Sequence, residues 1–173
     1  MENKEQSDLI DYCKLALVRN DESIRFAESK AGFLFSAVGI MLGYLATEIA
    51  VFKEALIIGN PQLPLAIIAL VLIGIGTIMT AVSTLLIVFP RLKIGREGSY
   101  LYFGSVQSLS AKQFCQKGSQ LSSKMIIEQL LTQVHATAVI VWKKYYFVRL
   151  EFIGTILVFL GWLLAIFLIF QIG

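Results

Sequence analysis

Three apolar runs, at residues 31–52, 64–89 and 152–170, constrain this chain more than anything else in it. Each is close to the ~20 residues that a helix, rising ~1.5 Å per residue, needs to cross a ~30 Å hydrocarbon core. A bilayer core has no water for unpaired backbone groups, so such runs cross it as helices. The chain is 57% hydrophobic and 16% charged, against about 45–50% and about a quarter in soluble domains. The excess sits in the runs. The sequence therefore predicts an all-α integral membrane protein with three transmembrane helices.

The first run is entered without a break. Glu28-Ser29-Lys30 passes directly into Ala31, with no proline between them. Upstream, Ile10, Cys13, Leu17, Ile24, Ala27 and Ala31 alternate by threes and fours, with Asn20 in the one polar slot. Residues 1–30 are thus expected to form a cytosolic amphipathic helix continuous with transmembrane helix 1, at 31–52. The pattern recurs before the third run. Ile127, Leu131, Val134, Ala138, Val141, Tyr145, Val148 and Phe152 predict a seam along a cytosolic helix at 123–151, continuous with transmembrane helix 3 at 152–170. Gly32-x-x-x-Ser36 and Gly39-x-x-x-Gly43 give transmembrane helix 1 small-residue faces for close helix approach. Packing within one protomer is the preferred reading of these faces, and a dimer seam the alternative.

The connections are short. Residues 53–63 read as an external turn, punctuated by Gly59-Asn60-Pro61, and residues 64–89 as transmembrane helix 2, closed by Phe89-Pro90. Residues 90–122 read as a small cytosolic insert of loop and short helix. Ser110-x-x-Gln113 is a capping-box pattern, Phe114 supplies an apolar contact, and Gly118 ends the element.

Orientation follows from Lys and Arg in the short flanks. Arg19, Arg25, Lys30, Arg91, Lys93, Arg96, Lys143, Lys144 and Arg149 fall on one side and only Lys53 on the other. This predicts a multi-pass membrane protein with the N-terminus cytosolic and the C-terminus external. The two long cytosolic helices then run parallel toward the bilayer. Cys13 and Cys115 both face the cytosol and are expected to be free thiols.

No catalytic pattern is present: no nucleophile elbow, Walker loop, His-Glu-x-x-His or Rossmann glycines. The chain is read as not an enzyme. One histidine and two cysteines are too few for a zinc site, and His135 reads as structural. A net charge of +3 is too dilute for nucleic-acid binding. Arg91, Lys93 and Arg96 have two readings, as anchors of transmembrane helix 2 on anionic headgroups and as holders of a phosphate-bearing ligand. Tyr102 and Phe103, with Tyr100 and Phe114, read either as the core of the insert or as a stacking surface for a base. Asn20 in the seam is expected to fix register. Arg25 and Glu28 are expected to pair with Lys144 or Arg149, because unpaired charges near the membrane are costly.

Four segments then carry a resemblance, through their order along the chain. Glu28-Ser29-Lys30-Ala31 enters span one, and Phe89-Pro90-Arg91 closes span two. Tyr102 to Ser110, containing Phe103-Gly104 and followed by Phe114, leads into the short helix. Lys144-Tyr145-Tyr146-Phe147-Val148-Arg149 enters span three. Together, over about residues 8–165, they resemble the membrane-spanning effectors of bacterial Pycsar anti-phage defence. The resemblance implies activation by a cyclic pyrimidine mononucleotide, cyclic CMP or cyclic UMP, made by a cognate cyclase. It also implies impairment of the inner membrane and growth arrest. The expected partners are the lipid bilayer, the nucleotide and further copies of the chain as a homo-oligomer. Two alternatives stand beside it: a non-gated membrane scaffold or adaptor, and a membrane-helix effector answering to a different nucleotide second messenger.

Overall fold

A computed structural model describes residues 2–57, 60–89, 106 and 109–172, and among these the regular elements are all helices. They are α1 (Glu2–Thr47), α2 (Ile49–Ala55), α3 (Leu63–Val88), α4 (Ala111–Gly118) and α5 (Ser123–Ile172). α1, α3 and α5 are long and apolar enough to cross a membrane.

Helix ends follow local chemistry. α3 starts with Pro64 in its first turn, where the missing N–H costs nothing. It stops at Phe89, whose extended backbone (φ −65°, ψ 120°) suits the residue before a proline. The capping box at α4 is complete. Ser110 Oγ accepts from the Gln113 N–H, and Gln113 Oε1 accepts from the Ser110 N–H at 3.0 Å. α5 opens with the Ser122 hydroxyl accepting from the Met125 N–H at 3.3 Å. Phe114, expected to make an apolar contact, is 39% exposed.

The predicted run 31–52 is not one helix. α1 ends at Thr47, Glu48 leaves helical geometry (φ −97°, ψ 12°), and α2 starts anew. The break turns Phe52 and Ala55 onto Ala66, Ala69, Ala165 and Leu168. Asn60 closes the following turn, its amide donating to the Glu54 carbonyl and its Oδ1 accepting from the Gln62 N–H.

The chain divides into two compact units, Met1–Arg25 with Pro90–Lys143, and Phe26–Phe89 with Lys144–Gly173. In the first, Cys13 and Leu130 are buried. Asn20 on α1 donates to Thr137 Oγ1 (2.8 Å) and to the Val134 carbonyl (3.3 Å) on α5.

In the second unit α3 and α5 pack backbone to backbone and antiparallel. A Cβ on Gly76 would lie 2.6 Å from the Gly154 carbonyl oxygen, and one on Gly161 would lie 2.8 Å from that of Ala69. Helices in lipid gain nothing from hiding apolar surface from one another, so this closeness supplies the dispersion contact that holds them. α1 is joined to α5 by Tyr44 against Trp162, edge to face at 5.9 Å. Its expected small-residue packing is overturned here: Cβ atoms on Gly32, Gly39 or Gly43 would meet open space.

The seam on α5 is also shifted from the expected one. Val134, Val141 and Val148 are partly buried, but Leu131, Tyr145 and Phe152 are exposed, as is Ala138. The covered partners are Leu130, Thr137, Lys144 and Glu151, each one residue earlier. Three of these four are polar, and each of the three bonds to another helix.

Candidate functional site

Lys144 ties three helices together within the second unit. Its ammonium donates to Glu28 Oε1 on α1 at 2.5 Å and to the Ile87 carbonyl on α3 at 2.6 Å. The Ile87 carbonyl is one of the last four of α3, which have no acceptor role inside the helix. It also lies at the negative end of the α3 dipole, where a cation is favoured. The Lys144 side chain is only 11% exposed while that of Glu28 is 41% exposed, so the tie is wet on the α1 side and dry on the α3 side.

One helical turn-pair further into the span, Glu151 is fully buried. Its Oε1 lies 2.7 Å from the Thr84 hydroxyl, which is also 2.9 Å from the Thr80 carbonyl. Oε2 has no hydrogen-bond partner among the described residues. Ionisable groups in a membrane interior are costly and mark functional positions by default. By sequence Glu151 is the last residue of the cytosolic helix expected at 123–151. The usable signal was a carboxylate between Leu150 and Phe152, continuing directly into an apolar run.

The structure brings together some of the residues singled out from sequence. Glu28 meets Lys144. Asn20 is bound to α5 through Thr137 and Val134. Arg25 pairs instead with Asp21, one turn back on its own helix, at 2.9 Å, and this pair is solvent-exposed. Lys30 lies 4.2 Å from the centre of the Phe26 ring, and with Arg149 it lines a groove between α1 and α5. Arg91, Lys93, Arg96, Tyr102 and Phe103 lie outside the described residues.

The arrangement consists of one nearly dry ammonium shared by two helices and one buried carboxyl held by a hydroxyl. No group of three or more His, Cys, Asp or Glu that could hold a metal occurs among the described residues. A family model described as the Pycsar effector protein domain matches residues 13–171.

The chain belongs to the Pycsar effector family. It is a Pycsar-type anti-phage membrane effector, in a family associated with cyclic nucleotide signalling. The match takes in all three apolar helices and both ends of the Lys144 tie. No curated protein and no solved structure shows significant similarity to the chain.

Proposed function

We propose that this Pycsar effector is a non-enzymatic, ligand-gated membrane protein. A cyclic pyrimidine mononucleotide, cyclic CMP or cyclic UMP from a cognate cyclase, binds on the cytosolic side. Binding changes how the spans pack, impairs the inner membrane and arrests growth. The observation that carries this reading is the family match over residues 13–171.

The polar contacts give the reading a physical form. A ligand shifts an equilibrium only by preferring one arrangement. Here Arg91, Lys93 and Arg96 hold the phosphate and Tyr102 and Phe103 stack the base. Asn20, Arg25, Glu28, Lys30, Lys144 and Arg149 couple binding to the spans. The Lys144 tie is the element whose opening frees α1, and the open Gly32, Ser36, Gly39 and Gly43 face of α1 is the surface on which copies repack into a homo-oligomer. The N-terminus and residues 90–150 are cytosolic and the C-terminus is external.

The test is membrane-potential imaging of cells expressing the effector and supplied in turn with cyclic CMP, cyclic UMP and cyclic AMP. Calorimetry with the same nucleotides on detergent-solubilised protein accompanies it. Depolarisation with one pyrimidine nucleotide, matched by binding of that nucleotide, is the expected result. Binding without depolarisation points to the adaptor reading. Absence of binding to all three refutes direct gating by these ligands.

A further inference from the structure

Lys30 on α1 and Arg149 on α5 have no carboxylate within ion-pair distance among the described residues. Both line one open groove of about 590 Å³ between the two helices, within the second unit. Its walls are graded along the helix direction. Ser29, Lys30, Tyr145 and Arg149 are the polar members, while Phe33, Leu34 and Phe152 follow within a turn toward the apolar run. Phe33 is 74% exposed and Phe152 55% exposed.

We propose that this groove is a binding site for one anionic phospholipid, its phosphate held between Lys30 and Arg149 and its acyl chain laid along Phe33, Leu34 and Phe152. Arg149 supplies a planar fork for two phosphate oxygens and Lys30 a point charge. The Phe26 ring lies beside the Lys30 ammonium, a cation–π contact that does not consume its hydrogen bonds as a carboxylate would. Basic pockets between spans at a membrane boundary have the composition that anionic headgroups require. A free phosphate ester shares the headgroup chemistry, yet it makes no contact with the exposed phenylalanine floor. An acyl chain covers it. Because the two cations come from different helices, the bound lipid bridges α1 and α5 beside the Lys144–Glu28 pair. The site rests on the membrane character of the chain, and its test requires no nucleotide response.

The full-length protein is reconstituted into vesicles of equimolar phosphatidylglycerol and phosphatidylcholine and extracted in mild detergent, and its retained lipid is counted by native mass spectrometry. At about fivefold for each cation near the headgroup, two cations give a preference of roughly twenty-five-fold for phosphatidylglycerol. The charge-removing pair Lys30→Gln with Arg149→Gln brings retention close to parity, whereas Lys30→Arg with Arg149→Lys keeps the preference. Parity in the unaltered protein, which needs no variant to fold, overturns the proposal. So does an undiminished preference in the Gln pair. Displacement of bound phosphatidylglycerol by millimolar inorganic phosphate or cyclic CMP assigns the groove to a soluble phosphate and overturns the lipid assignment.

Discussion

Replacing Lys144 by Met isolates the tie between α1, α3 and α5. Met keeps the length and apolar stem of lysine but donates nothing. Two partners are lost, and their environments differ. Glu28 is 41% exposed, so its carboxylate regains water, and that half of the tie is discounted to about 0.5–1 kcal/mol. The Ile87 carbonyl accepts from a charged donor at 2.6 Å beside a side chain only 11% exposed. A charge-assisted bond of that kind contributes about 1.5–3 kcal/mol, part of it through the α3 dipole. Lys144→Met should therefore cost about 2–4 kcal/mol, while Glu28→Gln costs about 0.5–1 kcal/mol. The double variant closes the cycle with a coupling near 1 kcal/mol. Reversible unfolding in mixed micelles, followed by helical circular dichroism, measures all three. Equal costs for the two single changes would refute the argument, because they would mean that the carbonyl half contributes nothing.

Alanine at Gly76 must push against the Gly154 carbonyl; it should destabilise the fold by about 1–3 kcal/mol in the same assay, whereas Gly39→Ala, facing open space, should leave stability unchanged or slightly higher. Glu151→Gln should stay within about 1 kcal/mol of the native protein because its amide oxygen still meets Thr84, and Glu151→Lys should cost about 3 kcal/mol or more by burying an ammonium without a counter-charge. In the folded protein Cys115, which is exposed, should react with a maleimide well before the buried Cys13, as read by mass spectrometry at short labelling times. Glu28→Ala should insert normally by protease mapping yet blunt growth arrest, and undiminished arrest at equal expression would reduce the pair to an anchor.

How much of this was legible in the sequence differs from element to element. The helix α3 runs Leu63–Val88, beside the run 64–89 read from the sequence, and a proline stands near each of its ends. The seam of α1 was legible too: Cys13, Ala27 and Ala31 are buried and Asn20 sits between them in contact with α5. On α5 half of the seam was misread by one residue. Ranking by hydrophobicity chose Leu131, Ala138, Tyr145 and Phe152, while the helix covers Leu130, Thr137, Lys144 and Glu151. Hydrophobicity leaves out the bonds that turn Thr137 toward Asn20, Lys144 toward Glu28 and the Ile87 carbonyl, and Glu151 toward Thr84. At Glu151 and Phe152, where the span begins, lipid adds to this by favouring the apolar residue outside and the polar one inside. The same reasoning explains the glycines. Gly39-x-x-x-Gly43 has the familiar spacing, but the close approach occurs at Gly76, Gly154 and Gly161, where facing carbonyls on another helix decide the matter. Spacing along one helix does not reveal those. For the candidate site, Glu28 with Lys144 was anticipated as a cross-helix pair, whereas the Ile87 carbonyl could not be, since every residue carries one.

The glycine contact between α3 and α5 has a mechanical consequence. At Gly76, Gly154 and Gly161 backbone meets backbone with no room for a further side chain, so these spans behave as a single stiff beam. α1 is built differently. Along its apolar stretch it buries Ala31 and Val38, while α3 buries Ala66, Ala69, Gly76, Thr80, Ser83 and Ile87. Besides these few buried residues and Leu45, α1 leans on that beam through an ammonium bond and one aromatic edge. Strain applied to the second unit should therefore concentrate at one joint, and α1 is the part that yields.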